Sequence, residues 1–332
     1  MTKKKASAKM ITAWVLCGIL GLFLTIFVVE KFMFASFFFG GAKAEMKTPG
    51  LWEDFVSQGF DKLETGEYIM SGYAKDGVSP SSVYVVNGKD KSRCQLYNAD
   101  GSAYTSHAGG LTHFNNYVYI ANDTHEETTY LDMFLLSDVL DKDGKATLLD
   151  SIPVPNRLAY CSVYGGKMYT GAFYREGSVY LTPESHHLKT PSGETNVALM
   201  FVYSLDESTG KFISETPDMI YSTTSNIQGM CMTDSGKIIL STSWGLSKSK
   251  LYVYDPTTSD AVAYSYEFAP GVHVPLVHLC QENLTKTIVA PPMAEELVYE
   301  NGRVLILTES ASMKYIFGKF MSGNHIYSFP VE

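Results

Sequence analysis

The sequence predicts an all-β protein, a five-bladed β-propeller preceded by one N-terminal transmembrane helix. Three observations carry that prediction. Short apolar hairpins recur, with Glu67, Tyr117, Lys167, Lys237 and Arg303 each opening a second strand at steps of 50, 50, 70 and 66 residues, and a regular period of this size marks a solenoid, propeller or array. Behind each hairpin come one or two further β-rich runs, and four antiparallel strands per repeat make a propeller blade. Met10 to Val29 carries no charge for 20 residues, enough at about 1.5 Å per helical residue to cross a hydrocarbon core of about 30 Å. Six blades is the alternative count. A two-sheet sandwich is the alternative architecture, but it does not call for a uniform unit.

From the N-terminus, residues 1–9 read as a cytoplasmic basic tail and 10–39 as the anchor with its interfacial segment. Residues 40–56 read as a linker and 57–332 as the propeller. Lys3, Lys4, Lys5 and Lys9 precede the apolar run whereas Glu30-Lys31 follows it, so the lysine excess keeps the N-terminus inside and places the propeller outside the cell membrane. Phe32, Phe34, Phe37, Phe38 and Phe39 suit a helix emerging through the interface. Ala42-Lys43-Ala44 also resembles a signal-peptide cleavage site, but the apolar stretch is longer than a usual secretory core, which favours a retained anchor.

The five hairpins start at Gly59, Gly110, Tyr160, Gly229 and Glu296. Their turns, Glu64-Thr65-Gly66, Asn115-Asn116, Gly165-Gly166, Asp234-Ser235-Gly236 and Asn301-Gly302, supply residues that tolerate positive φ. Third strands begin near Ser81, Tyr130, Asn196, Lys250 and His325, and fourth strands near Cys94, Ala146, Phe212 and Lys286. The two longer steps hold turn-rich insertions, Arg175 to Thr195 and Pro256 to His273; loops of this length usually have a function of their own or are mobile. The last unit ends soon after its third strand, so a segment from the N-terminal side is expected to supply the missing outer strand, with Lys47 to Ser57 the candidate by position.

Residues 1–44 hold six basic groups and one acidic, leaving 20 basic against 34 acidic in the rest, a formal charge of −14. Such a surface repels phosphate backbones and anionic headgroups, which disfavours nucleic acid as a partner and peripheral docking on a membrane. Cys94, Cys161, Cys231 and Cys280 lack zinc-type spacing and read as small buried thiols where they fall on inner strands. No P-loop, HExxH, Gly-X-Ser-X-Gly or dinucleotide fingerprint occurs, so the common nucleotide, zincin and hydrolase chemistries lack support. His186-His187, in the first insertion, reads as an exposed loop pair. Asn122-Asp123-Thr124 and Asn283-Leu284-Thr285 match the short glycosylation pattern.

In a propeller the loops entering the first strand and leaving the second share the axial face. Gln58, Gly109, Ala159, Gln228 and Glu295 stand before the first strands, and Tyr73, Asp123, Phe173, Ser243 and Glu309 end the second. Asp123, Glu295 and Glu309 with the two glutamines are candidates for an oxygen-coordinated cation such as calcium, or the two glutamates for general acid and base. Tyr73, Tyr160, Phe173 and Trp244 add aromatic surface suited to a carbohydrate or peptide. The competing reading is that polar groups at a channel mouth are simply hydrated or bonded to the next blade.

The segments Ile227 to Gly245 and Pro291 to Ser310 resemble extracytoplasmic bacterial β-propeller proteins of the NHL and YVTN type. Related superfamilies include calcium-dependent lactonases with an axial Glu, Asn and Asp; only Glu295, Glu309 and Asp123 match such parts here, and no asparagine occupies the aligned pre-strand positions. The function expected from sequence is therefore a non-enzymatic, membrane-tethered module that binds an extracellular protein, peptide or carbohydrate, with the Arg175 to Thr195 loop as a lip. The alternative is a cation-dependent hydrolase or lyase using Glu295 and Glu309.

Overall fold

The computed structural model describes residues 8–122, 129–257, 264–315, 318–319 and 321–331. Five antiparallel sheets surround one axis. From the axis outward, blade I runs Phe55–Lys62, Tyr68–Ala74, Ser82–Asn87 and Asp90–Tyr97; blade II runs Leu111–Phe114, Tyr117–Asn122, Thr129–Leu135 and Asp150–Val154. Blade III runs Leu158–Tyr164, Lys167–Ala172, Ala198–Ser204 and Met219–Thr223; blade IV runs Ile227–Met232, Ile238–Thr242, Ser249–Tyr254 and Leu284–Ala290. Blade V consists of Ala294–Glu300, Arg303–Thr308, His325–Pro330 and Lys43–Lys47. Each inner strand touches those of both neighbouring blades, and blade V returns to blade I; the ring closes with five blades rather than six.

Closure occurs as the chain's ends require, but with a different segment from the one expected. Lys43–Lys47 pairs antiparallel with His325–Pro330, Lys43 opposite Ser328 and Lys47 opposite His325. Phe55 to Ser57, part of the expected closing segment, instead belongs to the inner strand of blade I. The stretch 40–56, expected as a linker, is thus built into the ring. The short period-2 pattern of Lys43–Lys47 is mostly exposed, so no apolar alternation announced it.

The insertions also have places in the architecture. The hairpin Tyr264–Ala269 and Val272–His278 adds to blade III, with Ile220 parallel to Leu276, and so covers an edge that would otherwise present unpaired backbone. Residues 173–197 rise over the axial face with a single 3-10 turn, Glu184–His186, and a small ladder, Leu188–Lys189 with Thr195–Asn196. His186 is buried against Phe201 and Tyr266, correcting the exposed reading of that pair; burial pushes its imidazole down to about 4. Asn283 is buried, its side chain donating to the His278 carbonyl and accepting from the Cys280 N–H, so that sequon is structural. Asn122 bonds Ser106 and Asp132, while Asp123 and Thr124 lie outside the described residues. Cys94, Cys161, Cys231 and Cys280 are all buried free thiols.

One helix, Ala8–Met33, is long and apolar enough to cross a membrane. It joins the propeller without slack. Glu30 is buried and accepts from the Ser322 N–H at 2.8 Å and from its hydroxyl. Phe34 and Phe37 enter the core between blades IV and V, where Phe37 stacks on Phe329 with centroids 5.3 Å apart.

On the face opposite the second-strand exits, blades I and II are joined by His113, whose Nδ1 and Nε2 lie 2.7 Å from Asp61 Oδ2 and Glu64 Oε2. Burial alone would lower this imidazole, but the two carboxylates outweigh it and raise it to about 9. A folded value above the ordinary 6.5 stabilises fully below that pH, and the contribution is lost as pH rises through about 9. Glu64 is largely exposed, which discounts the effect to about 2 kcal/mol. Urea unfolding should show that loss between pH 6.5 and 9.5 in the parent chain, and a flat profile over the same range in His113→Asn.

Candidate active site

The axial face is built by a repeated irregularity. Register shifts fall at Ser57/Phe60, Leu158/Tyr160, Ile227/Gly229 and Ala294/Leu297. In blade II the main chain at Gly109 and Gly110 makes the equivalent detour, Gly109 N–H donating to the Ala121 carbonyl and Ala121 N–H to the Gly110 carbonyl. A bulge re-aims the side chain it carries. Gln58, Gly109, Ala159, Gln228 and Glu295 therefore all reach one cavity of about 380 Å³, a volume suited to a small-molecule ligand.

Tyr73, Phe173, Ser243, Trp244 and Glu309 line the same cavity from the second-strand exits, and His107, Tyr180, Lys314 and Tyr315 complete its wall. Tyr160 does not belong to it. One residue beyond the bulge, its ring turns into the core between blades III and IV and lies over Gly171, where a Cβ would stand 1.9 Å from Cζ. Asp123 is outside the described residues.

Glu295 and Glu309 sit on one blade but are held by different neighbours. Gln58 Nε2 donates to Glu309 Oε2 at 2.9 Å, while Gln58 Oε1 faces His107 Nε2 at 2.8 Å. Gln228 Nε2 lies 3.5 Å from both Glu295 Oε1 and Ser243 Oγ. Burial pushes the Glu295 carboxyl well above the usual carboxylate range, and the charges of Glu309 and Glu296 push it further. Burial likewise raises Glu309 to about 7, opposed by Lys314 and the Gln58 hydrogen bond. Both carboxyls thus stand above the usual carboxylate range.

Beneath them lies Glu296, which the sequence reading passed over. Its Oε1 accepts the Met230 N–H at 2.7 Å, and Oε2 is buried with no hydrogen-bond partner. Burial pushes this carboxyl well above the usual carboxylate range. Room for it exists because Gly110 and Gly229 lack side chains: a Cβ on Gly229 would stand 2.5 Å from Glu296 Oε1. The signal was present in the aligned repeats, where three of five hairpins open on glycine and the fifth opens on a glutamate.

The walls differ in character. On the side of blades III and IV, Phe173 and Tyr180 pack against Trp244 at 6.1 and 6.3 Å between centroids, and the Arg175 guanidinium stands 4.1 Å above the Trp244 ring. Opposite, Tyr73 stacks on His107 at 4.5 Å and receives a 2.6 Å hydrogen bond from Lys314 Nζ. Tyr180 and Arg175 come from the first insertion. Lys314 and Tyr315 come from the connection 309–324, the other long link between second and third strands.

No protein-family model matches the chain, and no curated protein matches it. Among solved structures it is similar to the PQQ-bound form of an aldose sugar dehydrogenase from Streptomyces coelicolor, 14% identical over 80% of this chain and 78% of that one, TM-score 0.46. It is also similar to a proposed oxidoreductase (glucose dehydrogenase) from Thermus thermophilus, 11% identical over 87% and 99%, TM-score 0.47. A proposed 6-phosphogluconolactonase from Bacteroides uniformis is 13% identical over 77% and 62%, TM-score 0.39. At these identities the likeness concerns the propeller architecture alone.

The non-enzymatic binding module expected from sequence is corrected. The axial cavity brings Glu295, Glu309, Gln58, Gln228 and His107 together, a convergence of titratable side chains that the binding reading had not found. Calcium finds no support among the described residues, which do not include Asp123. Among the described residues no cluster of three or more metal-ligating side chains forms. Glu295 and Glu309 are met by amide N–H donors rather than by further oxygen ligands, and such donors oppose a hard cation.

Proposed function

We propose that this chain is a membrane-anchored propeller hydrolase that cleaves a carbonyl ester in a small polyhydroxylated ring, of the sugar-lactone class, with Glu309 as general base and Glu295 as general acid. The observation that supports it is the pair itself: two carboxyl groups facing one cavity, Glu295 buried and Glu309 half-buried, both raised above the usual carboxylate range. Such a pair carries one proton and one charge across neutral pH, the condition for acid and base work by like groups. Glu309, ionised and oriented by Gln58, takes a proton from water as its oxygen adds to the substrate carbonyl carbon. Glu295 gives its proton to the carbonyl oxygen. Collapse of the tetrahedral adduct breaks the ring C–O bond, and the Glu309 proton passes to the leaving oxygen as Glu295 is reprotonated from the nascent carboxylic acid. Trp244 and Tyr73 contribute aromatic surface to the cavity wall.

PQQ, bound by the Streptomyces coelicolor protein, is a flat tricarboxylate. Three negative charges over a floor of two carboxyl groups, with only Lys314 in the lining and Arg175 on Trp244 to oppose them, do not fit these residues, and no step is routed through it. Anchoring follows from the apolar Ala8–Met33 helix and the flanking lysines, with the N-terminus cytoplasmic and the cavity outside; the bilayer is the partner this implies.

The test is proton release from a panel of aldonolactones by the full chain in detergent micelles. Hydrolysis should follow a bell-shaped pH profile, rising through about 7 as Glu309 ionises and falling where Glu295 ionises. Lactone opening at the uncatalysed rate across pH 5 to 9 would refute the assignment.

A further inference from the structure

We infer that the substrate carries one small oxyanion, a carboxylate or a phosphate, seated between Lys314 and Arg175. The inference rests on the acid–base reading above and names the substrate class of that same cavity. Its basis is a pair of cations beside the cavity. Lys314 Nζ hydrogen-bonds the Tyr73 hydroxyl and lies 4.9 and 5.4 Å from the Tyr73 and Tyr315 ring centroids. Arg175 rests on Trp244 and reaches the Asn226 side-chain oxygen at 3.4 Å. Among the described residues no carboxylate oxygen lies within 4.0 Å of either cation.

Other cations of the domain also lack such a contact; what distinguishes these two is their place. Lys314 lines the axial cavity, and Arg175 lies on Trp244, which lines it too. The charge count agrees. Lys314 and Arg175 supply two positive charges, the glutamate pair supplies one negative charge when poised for catalysis, and one anionic substituent completes the balance. Lys314 follows Glu309 in the chain, and Arg175 belongs to the insertion that supplies Tyr180; Lys314 and Tyr180 both line the cavity, so a ring lying on the glutamates places its substituents near both stretches.

The experiment is calorimetric titration of the full chain in detergent micelles, at low salt, with glucose, glucuronate and glucose 6-phosphate. At least one anionic sugar should bind about tenfold tighter than glucose, the value of one charge-assisted hydrogen bond, and the preferred one identifies the substituent. Lys314→Met should reduce the ratio of anionic to neutral affinity to near one, and Lys314→Arg should retain it. Raising the salt should shrink the parent's ratio, a result that does not depend on any variant folding. Equal affinities in the parent chain, no binding of either anion, or a preference that persists in Lys314→Met would each overturn the inference. The two readings fail separately: hydrolysis of neutral lactones without anion preference leaves the reaction and removes the oxyanion seat, whereas anion preference without lactone hydrolysis does the reverse.

Discussion

Glu309→Gln is expected to lower kcat for lactone hydrolysis about a thousandfold, the usual contribution of a positioned general base, while raising the melting temperature at pH 8. The two effects share one cause. Glu309 is folded with its carboxyl at about 7 instead of the ordinary 4.5. A carboxyl raised by folding stabilises fully below its unfolded value, and that contribution is lost as pH climbs to the folded value. Above pH 7 the folded state therefore carries a half-buried anion that costs about 3 kcal/mol, and the amide removes it. Parent and variant should melt alike at pH 4 and diverge by several degrees at pH 8. Glu295 responds in a definite direction: losing the Glu309 charge removes one of the influences that raise it, so any residual activity should show its alkaline limb at lower pH. Differential scanning calorimetry and stopped-flow proton release read both quantities. A structural role for Glu309 predicts that activity and stability fall together, and this joint loss would exclude the catalytic role.

Legibility followed the kind of regularity each feature has. The five hairpins could be read because a turn needs residues that tolerate positive φ, and Asn115, Asn301, Gly66, Gly165, Gly166 and Gly236 adopt it. The axial positions could be read because equivalent places in a repeat face the same way: Gln58, Tyr73, Phe173, Gln228, Trp244, Glu295 and Glu309 do meet in one cavity. Tyr160 failed as a site residue because a bulge reverses the in-and-out alternation, and a one-residue displacement is invisible to hydrophobic pattern. Lys314 and Tyr315 went unseen because they sit in a connection, where no periodicity exists. Arg175 lay within a flagged insertion, yet its place over Trp244 depends on how that insertion folds back. The acid–base reading of Glu295 and Glu309 stood only as the alternative. Glu295 and Glu309 were visible as residues, but their displaced pKa values arise from burial and from each other's charge, and neither is a property of the linear chain.

Removing residues 1–47 should destabilise the propeller far more than removing 1–29. The shorter deletion takes away most of the apolar helix but keeps Glu30 on Ser322, Phe34 and Phe37 in the core, and Lys43–Lys47 on blade V. The longer one strips the outer strand from a ring that needs it. Phe34 and Phe37 are nearly fully buried, at 2% and 1% exposure, and each contributes about 2 kcal/mol by apolar burial. With the lost ladder to His325–Pro330 and the exposed edge, the deficit exceeds about 5 kcal/mol, comparable with the entire net stability of many domains. Residues 30–332 should therefore yield soluble protein melting within a few degrees of the parent, and residues 48–332 should melt at least about 10 °C lower or aggregate through the open edge. A peptide spanning residues 34–48 should restore the longer deletion by adding back the strand, with melting temperature rising with peptide concentration. If residues 48–332 melt with the parent, the strand is an accessory and the ring closes by the contacts between the inner strands of blades V and I alone.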